Sequence, residues 1–430
     1  MPPHAALDWL LGFSDPERGV GWNPRASRAA RWRLGRMRGL LGLLGDPDRQ
    51  LTCVLVAGTK GKGSTAACLA SILHTDGIRA GLFTSPHLQE IRERVRVDGA
   101  LLDPAAFDAR IRALRAPVAA LRREAPAAGE PTAFELLLAL ALGAFADSGC
   151  QVAILEVGLG GAQDATNAVS PALSLITSIG YDHTAILGRT LGAIATEKAG
   201  ILRRGRPALI AEQRPAAAVA LRRACAQRGA ACRTVAPLAR ALPRLHGAHQ
   251  RQNGALAAGA AETLGVTPAA IARGLAAAWW PGRFEIVREA PTVVLDGAHN
   301  GSSAEALAAA LRQRFGRRPV HLIVGLNADK DAGATLRPLL AIVRRVTVTA
   351  SSAPRARAAD DLLPTCRSLG DVPMVSAPNV ARALKAALAS TRPNEVICVT
   401  GSLALAGEAR SALGLRPPER LWLDRPAGRT

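Results

Sequence analysis

The stretch VAGTKGKGSTAA, residues 56–67, follows the apolar run LTCVLV and decides how the rest of the chain is read. A common phosphate loop has the form G-x-x-x-x-G-K-[ST]. Here Val56 stands where the first Gly belongs, and Gly63 instead of a hydroxyl follows Lys62. On pattern alone, a nucleotide site and an ordinary strand-to-helix turn both remain open. Three features favour nucleotide. Gly58, Gly61 and Gly63 let backbone N–H groups converge on an anion, and a helix expected to begin near Ser64 adds its positive end. Lys62 suits the β and γ phosphates. The hydroxyls of Ser64 and Thr65 suit phosphate or metal, so Gly58, Thr59, Gly61, Lys62, Gly63, Ser64 and Thr65 form the candidate cradle.

Composition bounds the rest. With 430 residues, 49% of them apolar and 20% charged, the chain can bury a large core and hold two or three domains. Its longest apolar run, 136–146, is about half the ~20 residues of a membrane span, and the N-terminus lacks a signal-peptide core, so a cytoplasmic protein without membrane contact is expected. The seven Cys form no C-x-x-C pair and sit mostly in apolar surroundings, which indicates neither a disulfide framework nor a zinc site. The formal charge of +20 invites a nucleic-acid reading. Against it, the Arg residues are dispersed and only 3% of the chain is aromatic, so stacking platforms are scarce. Small anionic substrates would be drawn by the same field.

The basic residues are informative by type. Of 54, only five are Lys: Lys60, Lys62, Lys198, Lys330 and Lys385. Drift toward Arg accounts for the ratio, and it leaves Lys where a compact or deprotonatable amine is required. Two of the five lie in the opening stretch.

Along the chain, LTCVLVA, RAGLFT, VAILEV, ALSLITS and RPALIA read as short buried strands, with helical patterns such as STAACLASILHTDG and TAFELLLALALGAFADSG between them. The rhythm restarts at PTVVLDGAHN and continues through VHLIVG, RRVTVTA, VPMVSA and NEVICVTG. Two consecutive α/β units with mostly parallel sheets follow. The turn-rich WWPGRFEIVREAPT separates them, which puts the linker near 283–291 and the domains at 1–285 and 286–430. The Arg-rich segment 17–45 reads as a solvated helix face.

GTKGKGST, LFTSPHL, ILEVGLGG with DATN, TSIGYDHTAILG, EKAGI, GAHQRQN, PGRFE, LDGAHN, GLNADKD and TGSLALAG occur in an order that resembles the Mur ligase superfamily, and within it folylpolyglutamate synthase/dihydrofolate synthase, from about residue 30 to 415. The resemblance implies an N-terminal P-loop ATPase-like domain and a smaller C-terminal Rossmann-like α/β domain. Its phosphate loop has the shortened form with the hydroxyl displaced. It also implies Mg²⁺ on Ser85, Glu156 and His183. For Glu156 the residues agree, because a carboxylate ending so apolar a run needs a cation. Ser85 could equally be a turn hydroxyl before Pro86, and His183 a satisfied helix-entry residue. Lys198 is carbamylated in such ligases; its alternative is a solvated charge at a helix end.

Further implied are Gln250 and Asn253 near the adenine, Arg283 on the γ-phosphate, Asp296 and His299 closing the second domain, Asp164 on substrate, and Lys330 and Ser402 lining the amino-acid pocket. Gly301 replaces a usual Pro after Asn300, and GGAQDATN lacks the Arg-Leu pair often found before Asp164. The function implied is an ATP-dependent carboxylate–amine ligase. It would phosphorylate a folate or pteroate carboxylate and couple it to L-glutamate, as a monomer that binds no nucleic acid. A Mur-type ligase for a cell-wall precursor and a nucleotide-gated nucleic-acid binder are the competing readings.

Overall fold

Residues 5–15 and 34–422 of the computed structural model are described here, and they build two separate sheets. The first contains β1 (Thr52–Ala57), β2 (Ala80–Phe83), β3 (Val95–Val97), β4 (Ala100–Leu101), β5 (Val152–Glu156), β6 (Leu173–Ile176), β7 (Pro207–Ala211) and β8 (Ala231–Val235), in the order β4-β3-β2-β5-β1-β6-β7-β8. Only the β2–β3 and β3–β4 pairs are antiparallel. The second sheet contains β9 (Glu285–Glu289), β10 (Thr292–Leu295), β11 (Val320–Val324), β12 (Arg345–Val348), β13 (Met374–Ser376) and β14 (Val396–Thr400), ordered β13-β12-β11-β14-β10-β9. Only its β9–β10 pair is antiparallel.

The central strand runs are apolar because both of their faces are covered. On β1, Cys53 and Leu55 join the core cluster that holds the helix Ala133–Asp147, while Val54 and Val56 join the one that holds the helix Lys62–Thr75. Likewise on β10, Val294 faces one cluster and Val293 and Leu295 the other. This alternation is the two-residue period of a strand serving two cores. The phosphate-loop helix is held closely: Ser71 Oγ donates to Gly274 O at 2.8 Å, and a Cβ on Gly274 would lie 2.4 Å from Ile72 Cα. β1 therefore ends at a fixed point in the middle of the sheet's carboxyl edge, flanked by β5 and β6.

Three expectations are corrected. The stretch 283–291 is not a free linker, because Glu285–Glu289 forms β9, antiparallel to β10. The chain crosses between sheets just before it, in 278–284. The segment 17–45 is not simply a solvated face. Its residues 17–33 lie outside those described, but Arg36 is buried and donates from Nε and Nη2 to Glu135 at 2.9–3.1 Å. Arg38 pairs with Asp46 and with Asp48. Finally, Cys225 and Cys232 are disulfide-bonded, tying the helix Pro215–Arg228 to β8, whereas Cys53, Cys68, Cys150, Cys366 and Cys398 are free and buried as expected. Among the described residues no helix is long and apolar enough to cross a membrane.

Glu135 also accepts from the backbone N–H of Thr132 at 2.7 Å, closing the capping box of its own helix. Replacing it with Ala strands the Arg36 guanidinium without its counter-ion. Denaturant titration of Glu135→Ala should show a loss of about 3 kcal/mol, the cost of breaking one side of a buried pair.

Candidate functional site at the facing sheet edges

The loop after β1 has walls on three sides. Gly58 has φ 149°, and a Cβ there would lie 1.7 Å from Thr177 Oγ1 at the end of β6. Gly61, the N-cap of the helix Lys62–Thr75, has φ 92°, and its Cβ would lie 2.2 Å from Asn253 Oδ1. A Cβ on Gly63 would sit 3.3 Å from both Glu156 Oε2 and Trp280 Nε1. The loop is also stitched to β6's exit: Thr59 N donates to Ser178 O at 2.8 Å, and Thr59 Oγ1 and Gly180 exchange hydrogen bonds at 3.1 Å. The loop is thereby fixed in place at the N-terminus of the helix Lys62–Thr75, whose positive end suits an anion.

Glu156 ends β5 beside Val56 and is only 5% exposed. Lys62 Nζ stands 3.9 Å from its Oε1, and Ser85 N donates to its Oε2 at 3.2 Å. Of the expected metal set, Ser85 and Glu156 are together. His183 is half-exposed at the N-cap of a short helix, with its Nε2 3.8 Å from Asp182 Oδ1. Among the described residues no three His, Cys, Asp or Glu side chains are grouped to hold a metal. A small hard cation that keeps its waters needs few protein oxygens, so this sparse set suits Mg²⁺ better than a closed metal cage. Thr65 Oγ1, buried beside the loop without a hydrogen-bond partner, is a further oxygen available there.

Lys198 is not a solvated helix-end charge. It closes the helix Leu191–Lys198 with its side chain buried, and burial, then Lys62, push its amine down to about 7. Gln250 and Asn253 are likewise buried, and they line the phosphate loop: Gln250 Nε2 lies 3.5 Å from Ser64 Oγ, and Asn253 Nδ2 donates to Gln250 Oε1 at 2.8 Å. The carboxylate of Asp164 is taken up by its own turn, accepting from Leu159 N, Thr166 N and Thr166 Oγ1 at 2.6–3.0 Å, so the structure gives it a local anchoring part instead of a free substrate contact.

From the second sheet, Asp296 accepts from Phe284 N and Ala298 N, both at 2.8 Å, and so holds the crossover against β10's end. Arg283 lies on that crossover, its Nη1 3.4 Å from Gly282 O. Ser402 caps the helix Leu403–Ala412, accepting from Leu405 N at 3.0 Å. His299 Nε2 reaches Lys60 Nζ at 2.8 Å, and Lys330 Nζ reaches Asp182 Oδ1 at 3.3 Å. A small cavity lined by Gly63, Ser85, Glu156, Trp280 and Arg283 lies where the two sheets' edges approach.

Sequence reasoning missed Asp182, the carboxylate on which these contacts converge, and Trp280. The available signal was the Asp-His pair itself, of which only the His drew notice. Burial pushes the Asp182 carboxyl up, but the ammonium groups of Lys60 and Lys330 gathered around it outweigh that and hold the group well below the usual carboxylate range.

Comparison with known proteins gives two family matches: the Mur ligase middle domain over residues 56–231 and the Mur ligase glutamate ligase domain over residues 282–403. The dihydrofolate synthase/folylpolyglutamate synthase of Bacillus subtilis is 34% identical over 411 residues, which cover 88% of this chain and 94% of that protein. The crystal structure of Mycobacterium tuberculosis folylpolyglutamate synthase complexed with ADP and AMPPCP superimposes with a TM-score of 0.85 at 33% identity, covering 90% of this chain and 97% of that one. The bifunctional folylpolyglutamate synthase/dihydrofolate synthase of Yersinia pestis complexed with AMPPNP and Mn ion gives 0.82 at 30% identity, covering 96% and 98%.

Gly58→Ala would force a side chain into Thr177 at a backbone angle that L-residues rarely adopt. Calorimetric titration with a non-hydrolysable ATP analogue should show affinity reduced by about tenfold or more, equivalent to at least ~1.4 kcal/mol.

Proposed function

Because the chain belongs to the Mur ligase family, in its folylpolyglutamate synthase/dihydrofolate synthase branch, we propose that it couples L-glutamate to folates, and also to dihydropteroate, at the expense of ATP. One observation carries this reading: the phosphate loop opens at the carboxyl edge of one sheet, directly facing the carboxyl-edge loops of the other across Lys60 and His299. A nucleotide and an amino acid can therefore be held on opposite walls with a folate carboxylate between them.

In this reading the carboxylate takes the γ-phosphoryl group of ATP. The glutamate amine then attacks the acyl phosphate, and phosphate departs as the amide forms. The chain contributes position and charge. Lys62 and Arg283 compensate the phosphoryl oxygens, and the backbone of residues 58–63 orients them. Apposition of the two sheets keeps water from the acyl phosphate. Mg²⁺, when bound, supplies further neutralisation of phosphate charge, and Glu156, Ser85 and His183 are the residues we assign to hold it. Asp296 and His299 set the second unit over the nucleotide, and Lys330 and Ser402 receive glutamate. The folate names of relatives that match nearly the whole chain favour this over a cell-wall ligase or a nucleic-acid binder. We take the working unit to be a cytoplasmic monomer divided near residue 285.

Incubation with ATP, Mg²⁺, glutamate and either dihydropteroate or tetrahydrofolate should release phosphate in a glutamate-dependent way. Lys62→Ala should abolish that release with its circular dichroism unchanged. Glutamate-dependent release that survives the substitution overturns the nucleotide-site assignment.

We also propose that Lys198 carries a carbamate in the active enzyme. Its neutral nitrogen attacks the carbon of carbon dioxide and gives up a proton, which leaves an anion in place of a cation. With the amine pushed down to about 7 from the ordinary 10.5, a much larger share of it is neutral at neutral pH, and that share grows as pH rises. Labelling with ¹³C-bicarbonate should show a carbamate signal with this pH dependence. Lys198→Ala should lose most of the rate and regain part of it with short carboxylic acids. Lys198→Arg should be inactive, since a guanidinium keeps its proton; full activity in that variant excludes the carbamate.

A further inference from the structure

Lys60, in the phosphate loop, does not point into the loop. Its Nζ lies 2.9 Å from Asp182 Oδ2 and 2.8 Å from His299 Nε2. The tautomer of His299 follows from its other nitrogen. Nδ1 lies 2.8 Å from Gly297 O, a carbonyl that can only accept, so Nδ1 carries the proton and Nε2 presents a lone pair to the Lys60 ammonium. Burial, then Lys60, hold His299 below its ordinary value, which agrees with the neutral ring. Asp182 meanwhile receives Lys330 Nζ on Oδ1 at 3.3 Å and Asn300 Nδ2 on Oδ2 at 3.1 Å.

Lys60 and Asp182 belong to the first unit and are one body, because Thr59 N and Lys60 N both bond Ser178 O. His299, Asn300 and Lys330 belong to loops of the second sheet. One carboxylate thus gathers the Lys60 ammonium from its own side of the cleft and the Lys330 ammonium and Asn300 amide from the other. The Asp182 side chain is 12% exposed and that of Lys330 is 11% exposed, so solvent screens the contacts incompletely.

From this geometry we propose that Asp182 is a positioning residue that latches the glutamate-side loops of the second unit onto the phosphate loop, with Lys60 as the strut that relays the contact to His299. Asp182 meets the phosphate loop at the Lys60 side chain and also accepts from His183 N at 3.1 Å; it acts through the residues it aligns. Without its charge, Lys60 loses its carboxylate partner and Lys330 keeps only Asp329 of its own loop, at 3.4 Å, so nothing charged holds the second unit's loops to the first. The inference rests on the ligase reading for its kinetic consequence only.

The test compares Asp182→Asn, Lys60→Met, the double variant and Asp182→Glu with the full-length parent. Small-angle scattering of the unliganded proteins should show a larger radius of gyration for Asp182→Asn and recovery toward the parent for Asp182→Glu. KM for glutamate should rise by about tenfold in Asp182→Asn, while the Kd for an ATP analogue stays within about threefold, since the loop backbone is intact. Lys60→Met should add little in the Asp182→Asn background, the non-additivity expected of one shared network. Unchanged scattering in both single variants overturns the latch, as does strict additivity. Equal losses in nucleotide Kd and glutamate KM overturn it too, and move Asp182 into the nucleotide site. Should Asp182→Asn not fold, Lys60→Met probes the same contact from the other end. Scattering needs no turnover, so the latch is decided even if the parent releases no phosphate and the ligase reading falls.

Discussion

The centre of the molecule is organised by a lack of room. Three glycines of the phosphate loop each press on a different wall: Gly58 on Thr177 of the β6 exit, Gly61 on Asn253 of the helix His249–Thr263, and Gly63 on Glu156 and Trp280. At Gly58 and Gly61 the contact leaves no place for a Cβ, and at Gly63 it leaves little, so the loop's backbone path is set by elements that come from four separate parts of the chain. Those elements in turn must be placed to within tenths of an ångström. Burial of β1, β5 and β6 on both faces, and the packing of Gly274 against Ile72, fix them to that accuracy. The displaced form of the motif is understood in the same terms. Val56 occupies the position of the usual first glycine because it is still in the buried strand, and the bend begins two residues later at Gly58.

What the sequence made legible follows the same physics. Strands buried on both faces, such as TCVLVA and VAILE, announce themselves as continuous apolar runs, and all ten expected strands are present. Three of the four strands that escaped notice, β4, β8 and β9, are at sheet edges. β8, ACRTV, is half-exposed throughout, and β9, EIVRE, is polar enough to pass for a linker. β3 owes its place to the buried Arg96, whose guanidinium bonds Gly99 O and Pro418 O, a long-range partnership that local composition does not encode. Pairing of Cys225 with Cys232 was hidden for a similar reason: a helix end and an edge strand must meet before a seven-residue spacing becomes a bridge.

At the site, residues were legible where the backbone had to be unusual or where a charge ended an apolar run, as with the glycines, Glu156 and Lys198. Contacts made only when two units meet were not. Beyond its place before His183, Asp182 has no local peculiarity, and its importance lies in partners 118 to 148 positions away along the chain, as with Asn300 and Lys330. Asp296 and Asp164 mark the opposite case. They stand in motifs that draw attention, yet the structure spends their oxygens on backbone N–H groups nearby.

The scarcity of lysine finds a physical reason in the charge balance of the cleft. Four of the five, Lys60, Lys62, Lys198 and Lys330, lie in the cleft, where burial and then the neighbouring ammonium groups lower the proton affinity of Lys60 and Lys198, whereas Lys385 is exposed on an outer helix. The carboxylates available do not match them. Asp182 engages Lys60 and Lys330, and Asp164 is occupied by its own turn. Glu156 stands 3.9 Å from Lys62, beyond hydrogen-bond reach. Lys62 and Lys198 are left short of negative charge in a poorly solvated place. Lys62 can be satisfied by a polyphosphate at the loop. Lys198 is buried more deeply, and burial makes its proton easier to lose. Arginine could serve neither need, being too large for the first and unable to deprotonate for the second. A chain that uses Arg almost everywhere else therefore keeps Lys where an excess of positive charge must be met by a ligand or relieved by chemistry.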